Sequence, residues 1–177
     1  MHEVAHKVVV MGVSGSGKST LARRLAQALN GSFVEGDDHH PEQNWQKMRA
    51  GISLRDSDRE PWLDRLSACL NGSGGTTILS CSALKRSYRA RLRAGSDVLR
   101  FVFLDISLGD ALERVSQRQG HGFPASLVVD QFAALESPAG EDHVLCLPAS
   151  VDVERNVGEI LRWIGEPQQP LEPRGKS

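Results

Sequence analysis

The run Gly12-Val13-Ser14-Gly15-Ser16-Gly17-Lys18-Ser19 fits G-x-x-x-x-G-K-[ST], the pattern of a phosphate-binding loop. The residue types explain the chemistry. Glycines let the backbone turn tightly and bring its N–H groups against phosphate oxygens. A helix starting at Lys18 adds partial positive charge at its N-terminus. Lys18 has the reach to touch the β- and γ-phosphates, and the Ser19 hydroxyl is a ligand of the kind Mg²⁺ takes. The expected nucleotide contacts are Gly12, Ser14, Gly15, Ser16, Gly17, Lys18, Ser19 and Thr20, with Ser19 the expected metal ligand.

A phosphate loop implies a nucleotide and leaves the phosphoryl acceptor open. Glu35 and Asp37 stand at the end of the second expected strand, two positions apart, so both would leave it on one side. In an open parallel sheet, ligands gather at that end. A carboxylate there suits proton acceptance from a substrate hydroxyl. A polar turn with Asp37 or Asp38 capping the next helix fits the same residues. Cations form two further groups, Arg55 with Arg59, and Lys85, Arg86, Arg89, Arg91 and Arg93 on one short helix. Lys85 and Arg89 share a helix face and would suit a small anion, while a solvated basic helix is the plainer alternative. Arg118 precedes the Gly-rich run Gln119-Gly120-His121-Gly122. It reads as an arginine on a closing lid or as an ordinary arginine at a helix C-terminus.

The positioning elements are strands alternating with helices. Lys7 to Met11 reads as a buried strand, followed by a helix over residues 18–29 with Leu21, Leu25, Ala28 and Leu29 on one face. Further strands are expected at residues 32–34, 76–81, 99–104 and 144–147. Pro41 opens a helix that Gly51 closes, and Asp58 is the expected cap of the next. A basic helix spans residues 84–94. Ser107 with Asp110 begins another, residues 127–135 form a sixth, and Asp152 caps the last. Trp45, Trp62 and Trp163 each stand in an apolar helical pattern and read as core. The alternation predicts an α/β fold: a five-stranded parallel sheet covered by helices on both faces, with a lid segment. Residues 1–166 are expected to form one kinase domain, with mobile excursions at about 38–70 and 118–135. The Pro- and Gln-containing stretch 167–177 reads as a disordered tail.

The totals narrow the class. A chain of 177 residues, 40% hydrophobic, can bury a sizeable core. A net charge of −1 gives no pull toward nucleic acid or an anionic membrane. No apolar run approaches the roughly 20 residues of a membrane helix, and no signal-peptide stretch opens the chain. Cys69, Cys81 and Cys146 are scattered and odd in number, which suits free thiols in a reducing cytoplasm.

Several segments together resemble the gluconokinase family. Gly36-Asp37-Asp38-His39-His40-Pro41, with Asn44, Lys47-Met48, Gly51 and Leu54, is similar to G-D-x-x-H-P…N-x-x-K-M…G…L. Asp56-Ser57-Asp58-Arg59-Glu60-Pro61-Trp62-Leu63 resembles D-x-D-R-x-P-W-L, and Cys81-Ser82-Ala83-Leu84-Lys85 with Tyr88-Arg89 resembles C-S-A-L-K-x-x-Y-R. Arg118 to His121 resembles R-x-G-H, and Gln131 with Leu135-Glu136-Ser137-Pro138 resembles Q-x-x-x-L-E-x-P. The likeness runs from Val8 to Ile164. It implies a nucleoside-monophosphate-kinase-like fold, a homodimer, and ATP- and Mg²⁺-dependent phosphorylation of D-gluconate at its 6-hydroxyl. The product, 6-phosphogluconate, feeds the pentose phosphate pathway. The resemblance makes Lys18, Asp37 and Arg118 the expected catalytic residues, and Asp37, His40, Arg59, Lys85 and Arg89 the expected gluconate contacts. The family commonly carries an aromatic after R-x-G-H, where this chain has Gly122 and then Phe123. Shikimate kinases share the fold but usually carry a glycine run where Cys81 to Lys85 stands. A GTPase-like switch would need N-K-x-D, which the chain lacks.

Overall fold

A computed structural model describes residues 4–72, 74–96, 98–118 and 123–165. The lid residues 119–122 and the expected tail at 167–177 lie outside the described residues. Five strands form one parallel sheet: β1 (Lys7–Met11), β2 (Ser32–Glu35), β3 (Thr77–Ser80), β4 (Arg100–Asp105) and β5 (Val144–Pro148), in the order β2-β3-β1-β4-β5. Seven helices connect and cover them: α1 (Lys18–Ala28), α2 (Glu42–Arg49), α3 (Asp56–Asn71), α4 (Arg86–Arg93), α5 (Leu108–Gln117), α6 (Ala125–Ala134) and α7 (Val153–Gly165). A 3₁₀ turn, Gly36–His39, joins β2 to the segment before α2.

Side-chain alternation divides the core between the two sheet faces. Val9 and Met11 face Trp62, Leu63, Leu66 and Leu70 of α3 and Tyr88 and Leu92 of α4. Val8 and Val10 face Leu21, Ala22 and Leu25 of α1 and Val157 and Ile160 of α7. Central β1 pairs with β3 on one side and β4 on the other. The chain therefore leaves β1 at the place where strand order reverses, and the carboxyl ends there frame a crevice.

Two expected caps form as read. The Ser107 hydroxyl accepts from the Asp110 N–H (3.1 Å), and Asp152 accepts from the N–H of Glu154 (3.0 Å) and Arg155 (3.3 Å). The expected cap at Asp58 is corrected. Arg55 is the N-cap of α3, and the Asp58 carboxylate reaches back to accept the Arg55 N–H at 2.8 Å. Pro61 consequently lies inside the helix.

The expectation that Arg89 meets substrate is also corrected. Its side chain is wholly buried. Its Nε and Nη2 donate to Glu141 (3.1 and 2.6 Å), and Nη1 donates to the carbonyls of Ala83 (2.8 Å) and Leu84 (3.1 Å). Nη2 also reaches the Glu136 carbonyl at 3.0 Å. Ala83 has φ of 46°, a left-handed conformation that costs energy for a residue with a Cβ. Arg89 thus holds the strained turn after β3 and ties it to the chain following α6. With Ala83 turned this way and Lys85 extended, the helix begins at Arg86 rather than at Leu84.

Burial alone would raise the Glu141 carboxyl, but the Arg89 and Arg93 guanidinia outweigh it and hold it below the ordinary glutamate range. A lowered folded value means the pair's contribution is full above the unfolded glutamate pKa, about 4.3, and is lost as pH falls through the folded value. Glu141→Ala strands a buried guanidinium and is expected to cost about 3–5 kcal/mol in urea unfolding at pH 7. Wild-type stability should fall more steeply below about pH 4.3 than that of Glu141→Gln. Parallel acid slopes would remove the pair from the stability of the fold.

Candidate active site

The phosphate loop lies in the crevice beyond β1, and α1 begins inside it at Lys18 with Gly17 as its cap. Gly15 has φ of 85°, and a Cβ there would come within 2.8 Å of the Ala111 carbonyl. Only glycine allows both the left-handed turn and that approach of α5. The Ser19 hydroxyl is held 3.0 Å from the Ser80 hydroxyl at the end of β3. The Ser14 N–H donates to the Gln131 side chain of α6 at 2.7 Å, so the loop is tied to the far helix of the expected lid.

The acceptor side is built on the Gly36 turn. A Cβ on Gly36 would collide with the Ser80 carbonyl, so glycine is required for β2 to end against β3. The Trp62 indole, fully buried, donates to the Gly36 carbonyl at 2.7 Å. His40 stacks on Trp62 with ring centroids 4.1 Å apart. Burial chiefly pushes the His40 pKa down, to about 4. The Asp37 charge opposes that shift and the Arg59 charge adds to it. The ring is therefore neutral at pH 7. The Arg59 guanidinium lies 5.4 Å from the Tyr88 ring centroid, and its Nε is buried without a hydrogen-bond partner. Asp37 follows directly on Gly36. Its reading as a helix cap fails, because Pro41 stands at the N-cap of α2 and no side chain caps it.

One cavity of about 700 Å³ joins these parts. Of the residues expected from sequence, Ser14, Gly15, Gly17, Lys18, Ser19, Asp37, His40, Arg59 and Arg118 line it. Gly12 and Ser16 are buried behind the loop, and Thr20 is exposed on the first turn of α1; none of the three is on the wall. Glu35 does not share the site with Asp37. Its carboxylate lies 3.9 Å from Arg23 of α1, and Glu35 is not on the cavity wall.

Lys85 is corrected as well. Its ammonium binds the Asp56 carboxylate at 2.9 Å and lies off the cavity. The Tyr88 hydroxyl donates to the same carboxylate. Cys81, next to Ser82 in the same motif, is wholly buried, and its thiol is pushed up to about 12 by burial, so it is inert.

The wall also holds residues the pattern reading passed over. Ser82, Asp130 and Gln131 line it, and so does Trp45, which was expected in the core. Ser82 and Gln131 lie within segments that resemble the gluconokinases, which was the available signal. Trp45 looked like core because a small cavity-facing helix has the same apolar spacing as a buried one.

A protein-family model described as an AAA domain matches residues 8–138. The gluconokinase of Gluconobacter oxydans (strain 621H) is 42% identical over 158 residues, spanning 88% of this chain and 89% of that protein. The chain belongs to the gluconokinase family. A crystal structure of a gluconokinase from Sinorhizobium meliloti 1021 matches with a TM-score of 0.80 at 40% identity, over 91% of this chain and 98% of that one. An unliganded sugar kinase from Janibacter sp. HTCC2649 matches with a TM-score of 0.86 at 39% identity, over 91% and 95% of the two chains. As in any phosphate-loop kinase, catalysis in a gluconokinase rests on positioning and on charge stabilisation. Lys18 is the cavity-lining cation that belongs to the loop itself. Lys18→Ala is expected to keep its circular dichroism and to lose about 10²-fold or more in kcat. A folded variant with wild-type kcat would refute the role.

Proposed function

We propose that the protein transfers the γ-phosphoryl group of ATP to the 6-hydroxyl of D-gluconate, giving 6-phospho-D-gluconate and ADP. The observation that carries this is a cavity with the phosphate loop on one side and an uncompensated guanidinium, Arg59, on the other, in a chain 42% identical to a gluconokinase. Arg59 is the partner for the sugar-acid carboxylate, since its buried Nε has no hydrogen-bond partner. His40 adds a polar contact beside it.

Lys18 cradles the β- and γ-phosphates. Ser19 lines the cavity, and its hydroxyl is a ligand of the kind Mg²⁺ takes. No group of three His, Cys, Asp or Glu stands together among the described residues, so phosphate oxygens and water would complete the shell, as is common for this ion. Bound there, Mg²⁺ would offset charge on the β- and γ-phosphates. Asp37 orients the 6-hydroxyl. As the new O–P bond forms and the bond to the β-phosphate oxygen breaks, the hydroxyl proton passes to the Asp37 carboxylate. Arg118, at the start of the lid, offsets charge on the moving phosphoryl group. Residues 38–70 and 118–135 close on the substrate and exclude water. The resemblance supports a homodimer, and free Cys69, Cys81 and Cys146 suit the cytoplasm.

A coupled ADP-release screen over gluconate, shikimate, other sugar acids and nucleoside monophosphates tests the assignment. Turnover on shikimate or AMP well above that on gluconate would overturn it. Asp37→Asn keeps the shape but loses charge and basicity, so kcat should fall by roughly 10²–10⁴ while ATP affinity survives. Near-normal turnover would remove Asp37 from the catalytic set. Arg118→Ala should lower kcat more than it raises the gluconate KM, because a contact to the moving phosphoryl group strengthens in the transition state. A change in KM alone would make Arg118 a ground-state binding group.

A further inference from the structure

The hydrogen bonds around Asn44 determine which nitrogen of His40 carries its proton. Asn44, on α2, is almost fully buried. Its Nδ2 lies 2.9 Å from the Asp58 carbonyl and 3.1 Å from His40 Nδ1. A backbone carbonyl can only accept, so the amide must present its NH₂ group, not its oxygen, to Asp58. That NH₂ has a second hydrogen for His40. Nδ1 must then accept, and in a neutral imidazole the proton sits on Nε2. The ring is neutral at pH 7 because burial dominates its titration. Asp37 and Arg59 are the charged groups that act on it, in opposite directions.

Neighbouring contacts keep the ring from rotating out of this arrangement. Its face stacks on Trp62 at an interplanar angle of 15°, and Trp45 meets it nearly edge-on at 81°. The amide is held in turn. Lys47 binds both Asp58 oxygens (2.7 and 2.8 Å), and Asp58 accepts the Arg55 N–H, which fixes the first turn of α3 and so the carbonyl that orients Asn44. Among the described residues His40 Nε2 has no hydrogen-bond partner, and His40 lines the cavity.

We propose that Asn44 is a positioning residue that locks His40 as the Nε2–H tautomer, so that His40 offers the cavity a hydrogen-bond donor and never an acceptor. Resting on gluconate as substrate, the ligand of that donor is an oxygen of the sugar acid. Beside Arg59, another pure donor, it makes this part of the pocket select for oxygens with free lone pairs. Asp37 is the acceptor of the same pocket, so the two sides have opposite hydrogen-bonding polarity.

The tautomer is read from two-bond ¹H–¹⁵N correlation spectra of the imidazole in the free, full-length protein at pH 7. The expected pattern is Nε2–H in the wild type and a mixture of tautomers in Asn44→Ala. An Nδ1–H or a cationic His40 in the wild type would overturn the proposal. Adding gluconate should shift the Nε2 signal, and no shift at saturating gluconate would overturn the contact. His40→Met should raise the gluconate KM roughly three- to tenfold with the ATP KM unchanged, the worth of one neutral hydrogen bond. His40→Gln, whose amide nitrogen keeps a donor near the Nε2 position, should recover most of that loss. Equal losses in the two variants would reduce His40 to a packing residue. The free-protein spectra need no substrate, so a wild type that fails to turn over gluconate refutes the substrate reading and leaves the tautomer standing or falling on its own result.

Discussion

The site depends on a constraint imposed by the phosphate loop: its tight turn must pack directly against α5 while its other side forms the wall of the cavity. Gly15 meets this by taking a left-handed conformation beneath the Ala111 carbonyl, where a side chain has no room. α5 can then lie directly against the loop, and Arg114 on that helix donates to the carbonyls of Gly15 (3.3 Å) and Ser16 (3.4 Å). With its carbonyls held by Arg114, the turn of the loop is fixed; the Ser14 N–H meets the Gln131 side chain, and the Ser16 N–H bonds the Val13 carbonyl at 3.2 Å. The reversal of strand order at β1 supplies the crevice in which the loop lies.

The acceptor side is held by a separate set of contacts, all of them polar groups with fixed partners. Gly36 lets β2 end flush against Ser80, the Trp62 indole fastens the Gly36 carbonyl, and His40 lies on the face of the same indole. Asn44, Asp58 and Lys47 extend the chain of bonds across α2 and α3. These linked contacts restrain α2 and α3 against β2, because breaking the buried Trp62 or Asn44 bonds would leave a buried polar group unpaired. These contacts hold Asp37, next to Gly36, on the wall of the cavity that the phosphate loop also lines, and among the described residues no hydrogen bond holds its side chain.

The cations divide by whether the fold supplies them with a carboxylate. Arg89 and Arg93 share Glu141, Lys85 takes Asp56, and Lys47 takes Asp58. Lys18, Arg59 and Arg118 line the cavity and form no ion pair among the described residues. An unpaired positive charge facing a half-enclosed cavity is poised for an anion, since both lose water and gain a charge-assisted contact on binding. Asp37 and Asp130 share the wall with these cations but form no ion pair with them among the described residues, so the cavity offers both unpaired positive charge and carboxylate acceptors.

The amino-acid sequence by itself determined the phosphate loop, the five strands and their two-faced burial, and the helix caps at Ser107 and Asp152. Those features depend on neighbours within a few positions: a glycine's freedom, a strand's alternation, a hydroxyl three residues from an N–H. Spacing and the gluconokinase resemblance together made Lys18, Asp37, His40, Arg59 and Arg118 candidates, and the structure joins them in one cavity. The tertiary structure alone decided which basic residues of the α4 segment were spent on the fold. Arg89 lies 52 positions from Glu141, and no local pattern announces that pairing. The same holds for Gln131, 117 positions from the Ser14 N–H it receives, and for Trp45, whose helix turns it toward a cavity instead of the core. A charged or amphipathic side chain takes whichever partner the chain's path brings near, and only the folded path fixes that choice.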